Sequence, residues 1–237
     1  PPLSLLTALS RRSGIELDRL RGMSFAGWVP WLLDSLDDSV PSVLETYTFQ
    51  FSVLLPRRNR KTRSITRWRA WIPSQPSRRA CPICLNDPAS QAVLLAWKLP
   101  LMLSCPLHGC WLEFYWGVPG RLLGWENIDA APRTASDAIA AMDQRTWQAL
   151  TTGHVELPRR RIHAGLWFRL LRTLLDELNT PLSTCGTYAG YLRQIWECCG
   201  HPLRAGQSLW RPYETLNPAV RLQMLEAAAT AISLIEV

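Results

Sequence analysis

The chain has 237 residues, 47% of them hydrophobic and 19% charged, which supplies a packed core for one large domain or two modest ones. Its net charge of +7 and pI near 9.3 call for an anionic partner, of which nucleic acid and an acidic membrane surface are the usual kinds. No stretch can span a bilayer, because the most apolar run, 92–105, is broken by Lys98 and Pro100, and no basic-then-apolar leader opens the chain, so a cytoplasmic protein is expected.

Residues 3–38 read as helical. Leu5, Leu6, Leu9, Leu17 and Leu20 recur at helical spacing on either side of a break at Ser13-Gly14, and two short helices around a tight turn have the size of a helix-turn-helix unit. Leu32, Leu33 and Leu36 predict a further helix entered after Pro30, and residues 49–55 alternate as a strand does. Composition then changes abruptly. Between Arg57 and Arg79 stand nine Lys and Arg residues and no acid, with Trp68 and Trp71 among them.

Residues 80–125 carry short apolar runs bounded by Pro and Gly, read as small strands and knuckles. Beyond Pro132 the helical pattern returns. Ser136 is placed to cap a helix through Leu150. Residues 162–178 form an amphipathic helix with Leu166, Leu170, Leu171, Leu174, Leu175 and Leu178 in one stripe, ended by Thr180-Pro181. Residues 187–199, closed by Gly200, and 219–235 are two more helices. The expected fold is mainly α with a small zinc-ribbon-like β module. It divides into a helix-turn-helix-like segment (1–56), a basic segment (57–79), central zinc knuckles (80–131) and a C-terminal helical bundle (132–237).

The most specific chemistry lies at Cys81-Pro-Ile-Cys84 and, twenty residues further on, Cys105-Pro-Leu-His108. A two-residue gap lets one tight turn aim both side chains at a single point, and two such turns supply the four sulfur and nitrogen ligands a tetrahedral zinc ion prefers. Four protein ligands close the coordination shell, so the predicted Zn2+ is structural, held by Cys81, Cys84, Cys105 and His108. Cys110, two residues beyond His108, is the alternative fourth ligand. Cys185, Cys198, Cys199 and His201 are read as non-ligands.

Arginines spread along a groove suit phosphate contacts, so Arg57, Arg58, Arg60, Lys61, Arg63, Arg67 and Arg69 are the candidate DNA-binding residues. Pro158 to Arg161, with His163, Arg169 and Arg172, repeats the theme at the start of the amphipathic helix. Base specificity cannot follow from phosphate contacts. No nucleotide-binding glycine loop, HExxH or GxSxG occurs, and nothing proposes an enzyme.

Three stretches, Arg79-Ala-Cys-Pro-Ile-Cys-Leu-Asn-Asp87, Ala96-Trp-Lys-Leu-Pro-Leu101 and Cys105-Pro-Leu-His-Gly109 with Leu112, resemble the TniQ/TnsD family of bacterial transposon target-selection proteins. The opening Leu5-Leu6-Thr-Ala-Leu9 to Gly14-Ile-Glu-Leu17 is similar to the family's start. Tyr115-Trp-Gly-Val118 stands where many members carry another cysteine pair. The resemblance implies a non-catalytic adaptor that recognises DNA or a guide-RNA effector complex and recruits an AAA+ ATPase and transposase. It also implies metal ligands at Cys81, Cys84, Cys105 and His108. A free-standing zinc-containing transcriptional regulator and a protein-interaction scaffold are the alternative readings. A homodimer is compatible with each, and none of them needs a membrane.

Overall fold

In the computed structural model, the described residues are 3–22, 78–87, 93–118, 121–125, 131–203 and 216–236. They are mostly helical, with two small sheets. Helices α1 (Leu3–Ser13) and α2 (Leu17–Gly22) pack on each other. Gly14 turns the chain between them at φ +70°, donating its N–H to the Ser10 carbonyl at 2.9 Å, a conformation in which a Cβ would be strained. Only Leu6 of the expected leucine set is fully buried there; Leu5 and Leu9 face solvent. The predicted helix around Leu32, Leu33 and Leu36 and the strand at 49–55 lie outside the described residues.

Strands β1 (Arg79–Ala80), β2 (Glu113–Val118) and β3 (Arg121–Trp125) form an antiparallel sheet in that order. Trp116 lies opposite Gly124, and a Cβ on that glycine would sit 3.0 Å from the indole, so the close approach of the two strands needs the missing side chain. The short helix α3 (Pro82–Asn86) follows β1, and a 3-10 turn (Leu95–Lys98) follows α3.

The helical half begins with α4 (Asp137–Thr152). Ser136 Oγ accepts the Ile139 N–H at 3.4 Å, the cap the sequence predicts, and Gly153 ends the helix at φ +76°. Its buried residues Ile139, Met142, Asp143, Thr146, Ala149 and Leu150 fall at intervals of three and four, one face of a helix. The expected helix over 162–178 is shorter. Ile162 and His163 belong to strand β5 (Arg160–His163), which pairs with β4 (His154–Leu157), and α5 runs Ala164–Leu178 with His163 as its N-cap. The Arg159-to-Arg161 run therefore belongs to a β-hairpin and does not start a helix. Within α5, Leu171, Leu175 and Leu178 are buried with Trp167 and Phe168, whereas Leu166 is exposed, so the core-facing stripe is rotated from the leucine pattern towards the aromatics. Two of the buried indoles find partners: Trp167 Nε1 donates to Thr146 Oγ1 at 3.0 Å and Trp196 Nε1 to the Leu178 carbonyl at 3.2 Å, whereas Trp97 Nε1 is buried without one.

The helix predicted over 187–199 begins slightly later, as α7 (Ala189–Cys198), closed by Gly200 at φ +73°; ahead of it come a short helix α6 (Leu182–Cys185) and a 3-10 turn (Gly186–Tyr188) that takes in Thr187 and Tyr188. Helix α8 (Pro218–Glu236) packs on α4, α5 and α7. Contact on several sides explains why it is apolar around most of its girth, and Ala227, Ala228, Ala229 and Ala231 permit close approach. One buried cluster runs without a break from Ala80 to Ile232.

A buried carboxylate helps join the two halves. Asp143 on α4 is fully buried, and its Oδ2 accepts the Leu103 N–H at 3.0 Å, the Ser104 N–H at 2.5 Å and the Ser104 hydroxyl at 2.7 Å. Burial pushes its carboxyl up to about 7, against the pull of those hydrogen bonds and of the Arg79 charge. The folded state thus keeps the proton through a range in which the unfolded chain releases it, and stability attributable to this group declines as pH rises from about 4 to about 7. In metal-saturated protein, Asp143→Asn is expected to gain in Tm on the parent as pH rises from about 5 to 8; a Tm difference flat over that range would exclude the ionisation. Asp143→Ala strands three donors at once and should cost on the order of 3–5 kcal/mol in denaturant unfolding.

Candidate metal centre

Two knuckles meet here. In the first, Cys81 occupies the N-cap of α3 in extended backbone (φ −79°, ψ 122°), and its Sγ accepts the Cys84 N–H at 3.4 Å. Pro82 takes the first helical position, where no N–H is needed. The one-turn helix then carries Cys84 back to the same side as Cys81.

The second knuckle is a tight hairpin end. The Cys105 N–H donates to the Cys110 carbonyl at 2.8 Å, the Gly109 N–H to the Cys105 carbonyl at 2.8 Å, and the Leu112 N–H to the Leu103 carbonyl at 2.9 Å. Gly109, at φ +60°, makes the reversal that returns the chain past His108. Ala135 and Trp111 tie this turn to the strand-like segment ahead of α4 through hydrogen bonds to the Gly109 and Arg133 carbonyls.

The ligand atoms of Cys81, Cys84, Cys105 and His108 all lie within 4.8 Å of one another, so this set could hold a metal ion. Cys84 and Cys105 sulfurs are 3.8 Å apart, and His108 Nδ1 is 3.5, 3.2 and 3.7 Å from the sulfurs of Cys81, Cys84 and Cys105. A tetrahedral ion with bonds of about 2.3 Å to sulfur and about 2.0–2.1 Å to nitrogen has edges of about 3.8 Å and about 3.5 Å. The donor set fits. The three cysteines are buried and His108 lies at the rim, leaving no position for a substrate once four ligands are in place.

Cys110, the alternative ligand, sits beside this set. Its Sγ is 3.4 Å from that of Cys81, while His108 Nδ1 reaches three sulfurs at once. Burial, followed by the hydrogen bond with Cys81, pushes the Cys110 thiol up to about 12. A thiol that keeps its proton can donate to a ligating sulfur, the kind of support that orients ligands from behind. Burial likewise raises Cys84 and Cys105. A cation must displace those protons, so its affinity falls with pH.

The sequence-predicted DNA-binding residues Arg57, Arg58, Arg60, Lys61, Arg63, Arg67 and Arg69 lie outside the described residues. The described end of that basic segment serves the fold: Arg78 Nη1 donates to the Gly117 carbonyl at 3.1 Å, and buried Arg79 donates to the Leu99 carbonyl at 2.9 Å with its guanidinium 6.0 Å from the Phe114 ring centre. Of the second basic cluster, Arg172 is buried in α5 and His163 Nδ1 accepts the Gly165 N–H, so neither faces outward as a free cation. The distant Cys198, Cys199 and His201 are not part of the cluster. Asp143, the carboxylate behind Ser104, gave no signal in sequence, because one acid in an amphipathic helix looks like a surface residue.

Replacement of Cys84 or His108 by Ala is expected to abolish stoichiometric metal retention after dialysis, read by elemental analysis. Cys110→Ala should keep the stoichiometry and weaken affinity by about 10- to 100-fold, as removal of a supporting group does. Cobalt substitution separates the two ligand sets: loss of thiolate charge-transfer intensity in Cys110→Ala would make Cys110 a ligand.

Comparison with known proteins gives one result. No curated protein and no solved structure matches the chain. The family model described as TniQ matches residues 1–112, a span that takes in both knuckles and all four clustered side chains. The match covers just under half of the chain and is consistent with the TniQ/TnsD family.

Proposed function

We propose that the protein is a non-catalytic, DNA-associated adaptor that selects the target site for a bacterial transposon and recruits its AAA+ ATPase and transposase. The observation that carries this reading is the TniQ match over residues 1–112 enclosing the Cys3His cluster, since that family is associated with transposition. We assign the cluster to Zn2+, with Cys81, Cys84, Cys105 and His108 as ligands. The donor set of three thiolates and one imidazole suits this cation, and a closed shell has a structural role. Bound there, the ion contributes fold stability, in zinc-finger peptides on the order of 10–16 kcal/mol apparent at neutral pH, and no Lewis-acid chemistry. The sheet of β1, β2 and β3 with its two knuckles is then a zinc-ribbon-like module over 80–131.

In this reading the N-terminal helix pair acts as a helix-turn-helix-like element within 1–56. Arg57 to Arg69 attract phosphates, and the helical part, 132–237, supplies base reading, self-association or ATPase docking. No helix among the described residues is long and apolar enough to cross a membrane. In this reading the anionic partner favoured by the +7 charge is nucleic acid.

Two measurements test the proposal. Affinity for duplex DNA should fall with rising salt at a log–log slope near −4.5 if about five phosphates are met, and Ala replacement of Arg57, Arg58, Arg60, Lys61 and Arg63 should remove most of that slope. Pull-down from cells with nuclease present should still recover an AAA+ ATPase. DNA affinity indifferent to salt sinks the DNA role, and binding to one operator with no ATPase recovered turns the reading to a transcriptional regulator.

A further inference from the structure

The hairpin of β4 and β5 is built as a rigid mount with a charged end. Its register pairs His154 with His163, Val155 with Ile162, Glu156 with Arg161 and Leu157 with Arg160, leaving Pro158 and Arg159 as a two-residue turn. The base is held from both sides. The Ala164 N–H donates to the Gly153 carbonyl at 2.8 Å, joining the end of α4 to the start of α5, and the Glu156 N–H donates to Gln148 Oε1 on α4 at 3.1 Å. Val155 is fully buried, Ile162 packs on the core, and the rings of His154 and His163 meet edge to face at 5.6 Å.

Against this anchored base, residues 158–161 are all exposed. Arg161 Nε lies 3.3 Å from Glu156 Oε1, both side chains well exposed. Among the described residues, the side chains of Arg159 and Arg160 have no hydrogen-bond or ion-pair partner. Three adjacent guanidiniums repel, and only one carboxylate offsets them. The fold draws nothing from this arrangement, because the hairpin's packing rests on Val155, Leu157 and Ile162. Alternation along the strands sends Arg160 to the face of Val155 and Ile162 and Arg161 to the opposite face, with Arg159 at the turn. Cations thus project in several directions from a ribbon about 5 Å wide, a shape that suits a polyanion with phosphates on both sides of a groove.

We propose that the tip of this hairpin, Arg159, Arg160 and conditionally Arg161, is a contact for the backbone phosphates of duplex DNA. The inference rests on the DNA association proposed above and adds a second, structurally rigid contact in the part of the chain beyond residues 1–112 matched by the TniQ model. Glu156 acts as a counter-ion that holds Arg161 back.

The test is fluorescence anisotropy of the full chain, metal-loaded, with a labelled random-sequence duplex over a series of salt concentrations. Replacing Arg159 and Arg160 together by Ala should shallow the log–log salt slope by about 1.8 and weaken binding roughly tenfold or more at about 100 mM salt, while the Lys,Lys pair keeps the slope. Glu156→Gln frees Arg161 and should steepen the slope by up to about 0.9, whereas Glu197→Gln on α7, an equal charge change elsewhere, should leave it unchanged. A slope unaltered in the Ala,Ala variant while the parent binds DNA overturns the hairpin contact and leaves DNA association standing. A parent that binds no duplex overturns both. Should the Ala,Ala variant lose its melting transition, Glu156→Gln against Glu197→Gln decides: equal effects overturn the proposal.

Discussion

Two short turns, separated by twenty residues, must bring three thiols and an imidazole to within 4.8 Å of one another, and most of the middle of the chain is organised by that requirement. The described end of the intervening segment, 93–104, is not a slack loop. Ala96, Trp97, Leu99, Leu101, Met102 and Leu103 are all buried in the common core, so this part of the link between the knuckles is itself packed. A cation joining the two turns closes this segment as a crosslink does. By the loop-entropy argument, closure of such a length is worth about 3 kcal/mol through the unfolded state alone, beyond the bonds to the metal. Buried thiols side by side are costly when their charges are uncompensated, as the upward shifts of Cys84 and Cys105 reflect. The same crowding that disfavours three bare thiolates favours a divalent ion among them.

The knuckle does not stop at its ligands. Cys105 is preceded by Ser104, whose N–H and hydroxyl both donate to Asp143, and the neighbouring Leu103 N–H donates to the same oxygen. Buried backbone donors without an acceptor would each be expensive, so the second knuckle is stable only with α4 against it. Helix α4 in turn packs on α8, and its C-terminal Gly153 carries the base of the β4–β5 hairpin. Metal site, helical core and hairpin are therefore one mechanical object. The continuous buried cluster from Ala80 to Ile232 states the same fact in apolar contacts.

What could be read from the sequence follows from how local each signal is. The N-cap at Ser136, the turns at Gly14 and Gly200 and the CxxC and CxxH pairs are written in residues adjacent along the chain, and each stands where local rules put it. Leucine spacing places the helix start at 162, two residues early, because spacing alone does not distinguish helix from strand over a few residues. His154-Val-Glu-Leu and Arg160-Arg-Ile-His alternate around a Pro-Arg turn, a hairpin signal that the arginine run obscured. The stripe on α5 rotated because Trp167 and Phe168 bury more area than Leu166 and win the core-facing positions. Asp143 is unreadable for a deeper reason. Its partners lie 39 or 40 residues away, and nothing in the residues around it encodes a meeting at that range.

In the proposed adaptor role, the uneven spread of charge bears on how the work of DNA contact is divided. Phosphate contacts give affinity that is the same for every sequence, so neither the 57–79 segment nor the hairpin tip can choose a target. Arg159 and Arg160 sit on a turn already fixed by β-pairing and by α4 and α5, so on binding only their side chains remain to be ordered. A rigid contact can therefore set orientation on the duplex even when its share of the affinity is small. Selection then falls to groups that touch base edges or to a protein partner. In the proposed role, handing a position on to an ATPase calls for fixed geometry more than for tight binding.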